Sequence, residues 1–421
     1  MVDEAHGIDT AKLIEDYQHL HRHPELSMQE FRTADFIESR LDELGIEHFR
    51  CAETGVVGVD VNGDGPVVAF RADIDGLPIE EQTEVEFRSR ARGTLPDGTE
   101  VPVMHGCGHD VHVAVALAAA TYFATNREAW SGTIVWVFQP AEETAAGALA
   151  MVRDGLWDRA PKPRLVLGQH VVPVIPAGDV SVVEGTAMAM ADSLRVTILG
   201  RQSHGSQPQD SIDPVVLGAH IVTRLQTIVS RELSPSEPAV VTCGSFHAGL
   251  KDNIIPERAE LTLNIRTLNE ATRERVLASI TRIVRAEAAA SGAPQPLIEE
   301  ISRFPRLLND AEHTLSVRAA LAAELGTERV HDGVPDMGSE DFGWLADTIG
   351  VPCVYWFFGA YTHNVADQPV NHSPYFLPDT EPALVTGTRA AIAAISASLT
   401  TLTCSPSPAS GQNRQSAVLP L

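Results

Sequence analysis

Short β-rich runs at residues 56–61, 66–71, 132–138, 164–169 and 351–358 are separated by helical stretches, notably 111–126 and 144–154. That alternation dictates an α/β fold, a mixed β-sheet covered by helices. Four of the runs end on polar clusters: Arg71-Ala-Asp73-Ile-Asp75, Gln139-Pro-Ala-Glu142-Glu143, Gln169-His170, and a segment after Phe358 that leads to Asn371-His372-Ser373. In open sheets ligands bind outside the carboxyl ends of strands, so the clusters are expected to converge on one site. Upstream, apolar residues recur at helical spacing from residue 10 to 44 around His23-Pro24, which predicts two helices flanking a proline-bearing loop.

From about residue 186 the texture changes. A strand at 193–199, a helix at 214–229, strands at 239–247 and 258–266, a helix at 270–290 and a strand near 297–301 give the order β-α-β-β-α-β, the ferredoxin-like arrangement. This block lies between the β runs at 164–169 and 351–358, so the first domain is discontinuous. The expected division is a catalytic domain at 1–185 and 303–403, an inserted domain at 186–302, and a disordered tail at 404–421 rich in Ser, Pro and Gln. Two domains suit 421 residues.

Charge narrows the function. Thirty-one Lys and Arg against 56 Asp and Glu give a net −25, a field that repels phosphate backbones and anionic lipid surfaces and argues against nucleic-acid or membrane partners. The longest small-apolar stretches, 113–120 and 390–399, fall short of the ~20 residues of a membrane span. The acidic start MVDEAHGIDTAKL does not read as a secretory signal, and five scattered cysteines (51, 107, 243, 353 and 404) form no disulfide framework. A cytoplasmic protein is expected.

The segment His105-Gly-Cys107-Gly-His109-Asp110-Val-His112 places three imidazoles, a thiol and a carboxylate just ahead of an apolar helix. These are ligands for zinc and similar metals, and the glycines permit the sharp turning that lets neighbours face one ion. Without C-x-x-C spacing, an open catalytic site is expected rather than a structural one. Adjacent carboxylates such as Glu142 and Glu143 can divide the labour, one binding metal and one serving as general base. Taken singly, each residue has a plainer reading: solvated glutamates at a helix start, satisfied histidines at 170 and 372, a strand-end salt bridge at Arg266.

Taken together they resemble a family. HRHPELSMQE (21–30), RADIDGLPIEE (71–81), MHGCGHDVH (104–112), FQPAEET (138–144), GQH (168–170), GSEDF (338–342) and NHSPYF (371–376) look like the dinuclear metallo-amidohydrolases that include hippurate hydrolase, aminoacylase-like enzymes and indole-acetyl-amino-acid hydrolases. The resemblance implies two divalent ions per subunit (Zn, Mn, Co or Ni) on Cys107, His109, Glu143, His170 and His372, with Glu142 as general base and acid. Asp73 and Asp110 become candidates for orienting the ligating imidazoles, and Asp75 is either a third such group or a turn cap.

The resemblance further implies that the inserted domain is a lid and dimerisation domain. Its His204 would hydrogen-bond the developing oxyanion, commonly from a neighbouring subunit of a homodimer or higher homo-oligomer, and Asn253 and Arg266 would grip a substrate carboxylate. Gln209 departs from the usual pattern, standing where a second histidine often follows Pro208. The activity implied is metal-dependent hydrolysis of a small amide, an N-acyl amino acid. Alternatives are a dipeptidase or aminopeptidase on the same centre, which needs an anchor for the substrate ammonium, and a silent metal-binding scaffold. A serine hydrolase is disfavoured, since no G-x-S-x-G elbow is present.

Overall fold

The computed structural model describes residues 2–3, 7–363 and 365–404. Its centre is an eight-stranded sheet in the order Val330–Asp332, Val180–Val182, Cys353–Tyr361, Leu165–Pro176, Val67–Asp73, Gly132–Gln139, Gly55–Asn62, Glu47–Cys51. The four strands from Cys353–Tyr361 to Gly132–Gln139 run parallel, and each side of this block is closed by an antiparallel neighbour. The sheet is therefore mixed. The predicted strands are all present, but the outlying strands Glu47–Cys51, Val180–Val182 and Val330–Asp332 are too short to show a period in the sequence.

Alternation along each strand sends successive side chains to opposite faces. Val68, Phe70 and Ala72, with Ile134, Trp136 and Phe138, bury against one helical layer, while Ala69, Val135 and Val137 bury against the other. The first layer holds helices Thr10–Arg22, Phe31–Leu44, His109–Thr125, Ala311–Leu325 and Thr380–Cys404. Helix His109–Thr125 is buried on nearly all sides, and its alanines at 114, 116, 119 and 120 let neighbouring elements approach closely. Residues 380–403 are long and apolar enough to cross a bilayer, which the stretch 390–399 alone did not suggest, but the segment is two-thirds buried within this layer and reads as a core helix. The expected tail from residue 404 begins inside that helix; beyond Cys404 it lies outside the described residues.

A second sheet of four antiparallel strands, in the order Ala239–Ala248, Arg258–Thr267, Met190–Leu199, Leu297–Phe304, carries helices Pro214–Thr227 and Glu270–Ala290 over its own core of Val196, Ile198, Leu261, Leu263, Ile221 and Ile280. This is the ferredoxin-like order. The chain enters along Gly185–Met188 and leaves along Leu307–Asn309, which pair antiparallel as a two-stranded ribbon.

Candidate metal centre

The parallel strands deliver their polar ends to one place. Cys107 comes from the turn before helix His109–Thr125 and His109 opens that helix; between them Gly108 is left-handed (φ +86°) and a Cβ would sit 2.4 Å from Val171 Cγ1. Only glycine fits both demands. Glu142 and Glu143 occupy the loop after strand Gly132–Gln139, and left-handed Ala141 and Ala145 (φ 49° and 57°) curl that loop back. The curl delays the helix expected at 144–154 until Gly147. His170 lies within strand Leu165–Pro176, not at its end, and His372 is itself left-handed (φ 68°), its N–H donating to the Gly106 carbonyl at 2.7 Å.

Five side chains meet there. Cys107 Sγ lies 3.5 Å from His170 Nε2 and 3.3 Å from His372 Nε2, and Glu143 Oε1 lies 3.4 Å from His372 Nε2 and 3.9 Å from His109 Nε2. Two triads share the thiol, Cys107/His109/His170 and Cys107/Glu143/His372, and a third joins Glu142 to His109 and Glu143; within each, the donor atoms lie within 4.8 Å of one another. His109 Nε2 and Glu143 Oε1 are buried without a hydrogen-bond partner. Orphaned buried donors aimed into a thiol, imidazole and carboxylate cluster fit a metal centre, because a cation satisfies them where no proton donor does. Burial, reinforced by Glu143, raises the Cys107 thiol, so taking a metal as thiolate means losing a proton.

Neighbouring groups fix the ligands. His109 Nδ1 faces the Asp75 carbonyl (3.0 Å) and carboxylate (3.2 Å), and His170 Nδ1 donates to the Val171 carbonyl (2.7 Å), leaving both Nε2 atoms for the centre. Asp75 also accepts from the backbone N–H of Glu142 (3.2 Å) and Glu143 (3.1 Å) and from Ser27 Oγ (2.7 Å). It therefore does both jobs left open for it, orienting an imidazole and capping a turn. Asp73 pairs with Arg71 (2.8 Å) and His112 (2.5 Å) and comes within 3.4 Å of His109 Nε2. Burial would raise Asp73, but Arg71, His109 and His112 hold it well below the usual carboxylate range. His112 is fully engaged, its Nε2 accepting from Val171 N–H at 2.9 Å.

Asp110 does not act as expected. It turns from the ligating imidazoles to His21, whose Nδ1 it meets at 2.6 Å, while His21 Nε2 meets Glu81 at 3.1 Å. The acid pair of GSEDF, Glu340 and Asp341, has a role that no local pattern announces. Buried Arg71 reaches Glu340 at 2.7 Å and Gln139 at 2.9 Å, Tyr355 hydroxyl donates to Glu340 at 2.8 Å, and Gln139 holds Asp341 at 2.6 Å. Glu340 and Asp341 stand beside Glu142. Burial, then Glu340, Glu143 and Asp341, push the Glu142 carboxyl well above its ordinary range.

Cys107, Glu142, Glu143, His170, His372 and Glu340 line a cavity of about 380 Å³, walled also by Val172, Met188, Phe304, Phe357, Asp336 and Arg266. Arg266 donates to the Met337 carbonyl (2.7 Å) and to Asn264 Oδ1 (3.0 Å) and makes no ion pair among the described residues, so the salt-bridge alternative is not what the fold builds. His204 and Asn253 do not line it. Both are exposed on the inserted domain, where strand Ser203–His204 pairs with Ile254–Ile255 and His204 Nδ1 meets Ser206 Oγ at 2.7 Å.

Residues 69–397, which take in the whole four-stranded sheet and most of the eight-stranded one, match the peptidase family M20/M25/M40. The chain belongs to this family. N-acetylcysteine deacetylase of Bacillus subtilis (strain 168) is 36% identical over 342 residues, 80% of this chain and 86% of the other. Thermostable carboxypeptidase 2 of Saccharolobus solfataricus is 34% identical over 378 residues, 87% of this chain and 92% of the other. The crystal structure of the Bacillus subtilis YXEP protein, a dinuclear metal binding peptidase from the M20 family, superposes with a TM-score of 0.75 at 31% identity, covering 94% of this chain and all of that one. This M20 protein is thus an enzyme of a metallo-amidohydrolase and peptidase family, as its motifs imply, on an α/β fold with a separate small antiparallel sheet.

Proposed function

We propose that the enzyme hydrolyses the amide bond of an N-acyl amino acid, using two divalent ions (Zn, Mn, Co or Ni) held by Cys107, His109, Glu143, His170 and His372. The observation that carries this reading is a single cavity lined by Cys107, Glu143, His170, His372, Glu142, Arg266 and an apolar wall of Val172, Met188, Phe304 and Phe357, with His109 meeting the first three ligands in the same cluster. Bound there, the metals would polarise the scissile carbonyl and make a water nucleophilic at neutral pH. Glu142 takes that water's proton on its carboxylate and delivers it to the leaving amine. Its raised proton affinity suits the second half of that task, and Asp75 fixes its backbone. Arg266 receives the α-carboxylate, and the apolar wall takes the acyl group.

His204 and Asn253 complete the site from a second copy in a homodimer. Their exposure supports this, as do the edge strand Ala239–Ala248 with Val240 and Phe246 exposed and the fully exposed Leu250 nearby. Free thiols at Cys51, Cys107, Cys243 and Cys353 accord with a cytoplasmic setting. A peptidase reading draws on Asp336, a carboxylate in the same cavity that could receive a substrate ammonium.

A screen of N-acetyl, N-benzoyl and indole-acetyl amino acids beside unblocked dipeptides decides between them. Preference for acylated substrates is expected, and faster cleavage of free dipeptides overturns it. With the preferred substrate, Arg266→Ala should abolish most of the discrimination between a free α-carboxylate and its carboxamide. If the variant keeps that discrimination, Arg266 does not bind the carboxylate.

A further inference from the structure

Beneath the metal centre runs the loop between helices Thr10–Arg22 and Phe31–Leu44, and Glu30, its last residue, is wholly buried. Glu30 Oε1 accepts from Ala141 N–H at 2.9 Å, and Oε2 accepts from Thr54 Oγ1 at 2.7 Å. With Asp75 on the N–H groups of Glu142 and Glu143, two carboxylates thus hold three successive amides of the loop. The first belongs to Ala141, whose left-handed backbone (φ 49°) costs an L-residue energy and sets the direction in which Glu142 leaves the turn.

Glu30 has no cationic partner among the described residues. A buried carboxylate without one is expensive and is retained where its position matters. Burial and the nearby Asp75 carboxylate push it up to about 7.

We propose that Glu30 is a positioning residue for Glu142: by holding Ala141 N–H it locks the left-handed turn that aims the Glu142 carboxylate into the cavity. The inference rests on the reading of Glu142 as the proton-transfer group. Displacement of a catalytic group by as little as 1 Å can cost about a hundredfold in rate, so the grip should be visible in kcat.

The test compares Glu30→Ala, Glu30→Gln and Glu30→Asp on the metal-loaded enzyme, alone and combined with Glu142→Gln, recording kcat, KM, bound metal and melting temperature. Glu30→Ala should lower kcat about 10- to 100-fold, with KM within about threefold and metal content unchanged. Glu30→Gln keeps an acceptor for Ala141 and should restore kcat to within about threefold. Glu30→Asp, one methylene shorter, should lose kcat like the alanine variant and serves if that variant fails to fold. In the Glu142→Gln background the residual rate should not fall further, since the group being aimed is already disabled.

A lower melting temperature with kcat intact, metal loss in proportion to activity, or an equal fractional loss in both backgrounds overturns the proposal. If Glu142→Gln itself stays fully active, the reading beneath it has failed; if Glu142→Gln is inactive while Glu30→Ala and Glu30→Asp keep their kcat, only this inference has.

Discussion

The carboxyl end of the eight-stranded sheet and the inserted four-stranded domain supply the site in different ways. On the sheet, every candidate ligand meets the others within one chain, mostly buried, each held by a neighbour such as Asp75, Val171 or Gly106. Of the inserted domain's candidate substrate groups Arg266 lines the cavity, with apolar Met188 and Phe304 beside it, while His204 and Asn253 stay exposed. A metal centre demands rigid donors at fixed separations, whereas groups that bind substrate can arrive on a separate body.

The largest expected effects test the rigid half. Chelation should silence the enzyme; full turnover in protein shown by elemental analysis to be metal-free breaks the scheme. Glu142→Gln should cost about 10²–10⁴-fold or more in kcat with metal retained, and Glu143→Gln should chiefly release metal. Equal metal loss in both would erase the division of labour between the two neighbours.

The comparison itself is tested by mixing two inactive variants. If His204 acts in trans, a heterodimer of Glu142→Gln with His204→Ala contains one site with both defects and one with neither. Statistical exchange then restores roughly a quarter of wild-type activity in a two-fold dimer. No recovery, with exchange confirmed by native mass spectrometry, assigns His204 to its own chain or to no role.

The smallest effect concerns how the sheet's site is held. Burial pulls the His21 imidazole down, but its bonds to Asp110 and Glu81 more than reverse this, to about 9. A folded-state value above the unfolded one, near 6.5, gives stability that is complete below about pH 6 and lost as pH rises through 9. His21→Gln should therefore lower the melting temperature by a few degrees more at about pH 6 than at about pH 10. An equal drop at both would deny the charged pairing.

How far the sequence foretells this depends on distance along the chain. The four strand-end clusters and the metal motif were legible because they are local patterns attached to periodic elements. Asp110 was not, because one step along a helix turns a side chain by about 100°, so a residue adjacent to His109 faces His21 instead. The Arg71–Glu340 bond joins residues 269 positions apart, and nothing in either neighbourhood announces the other. His170 reads as the close of its strand because Pro173, a strand breaker, follows soon after, yet the strand runs on to Pro176.

One small residue carries a consequence out of scale with its chemistry. A Cβ on Gly147 would lie 1.5 Å from the Pro140 carbonyl oxygen and 3.3 Å from the Ala141 carbonyl carbon, so a single added methyl must drive back the loop that bears Glu142 and Glu143. Position 147 has no reactive group and belongs to no ligand set, yet any side chain placed there must move the backbone that carries the two glutamates. The spacing of the centre is thus set in part by the absence of an atom.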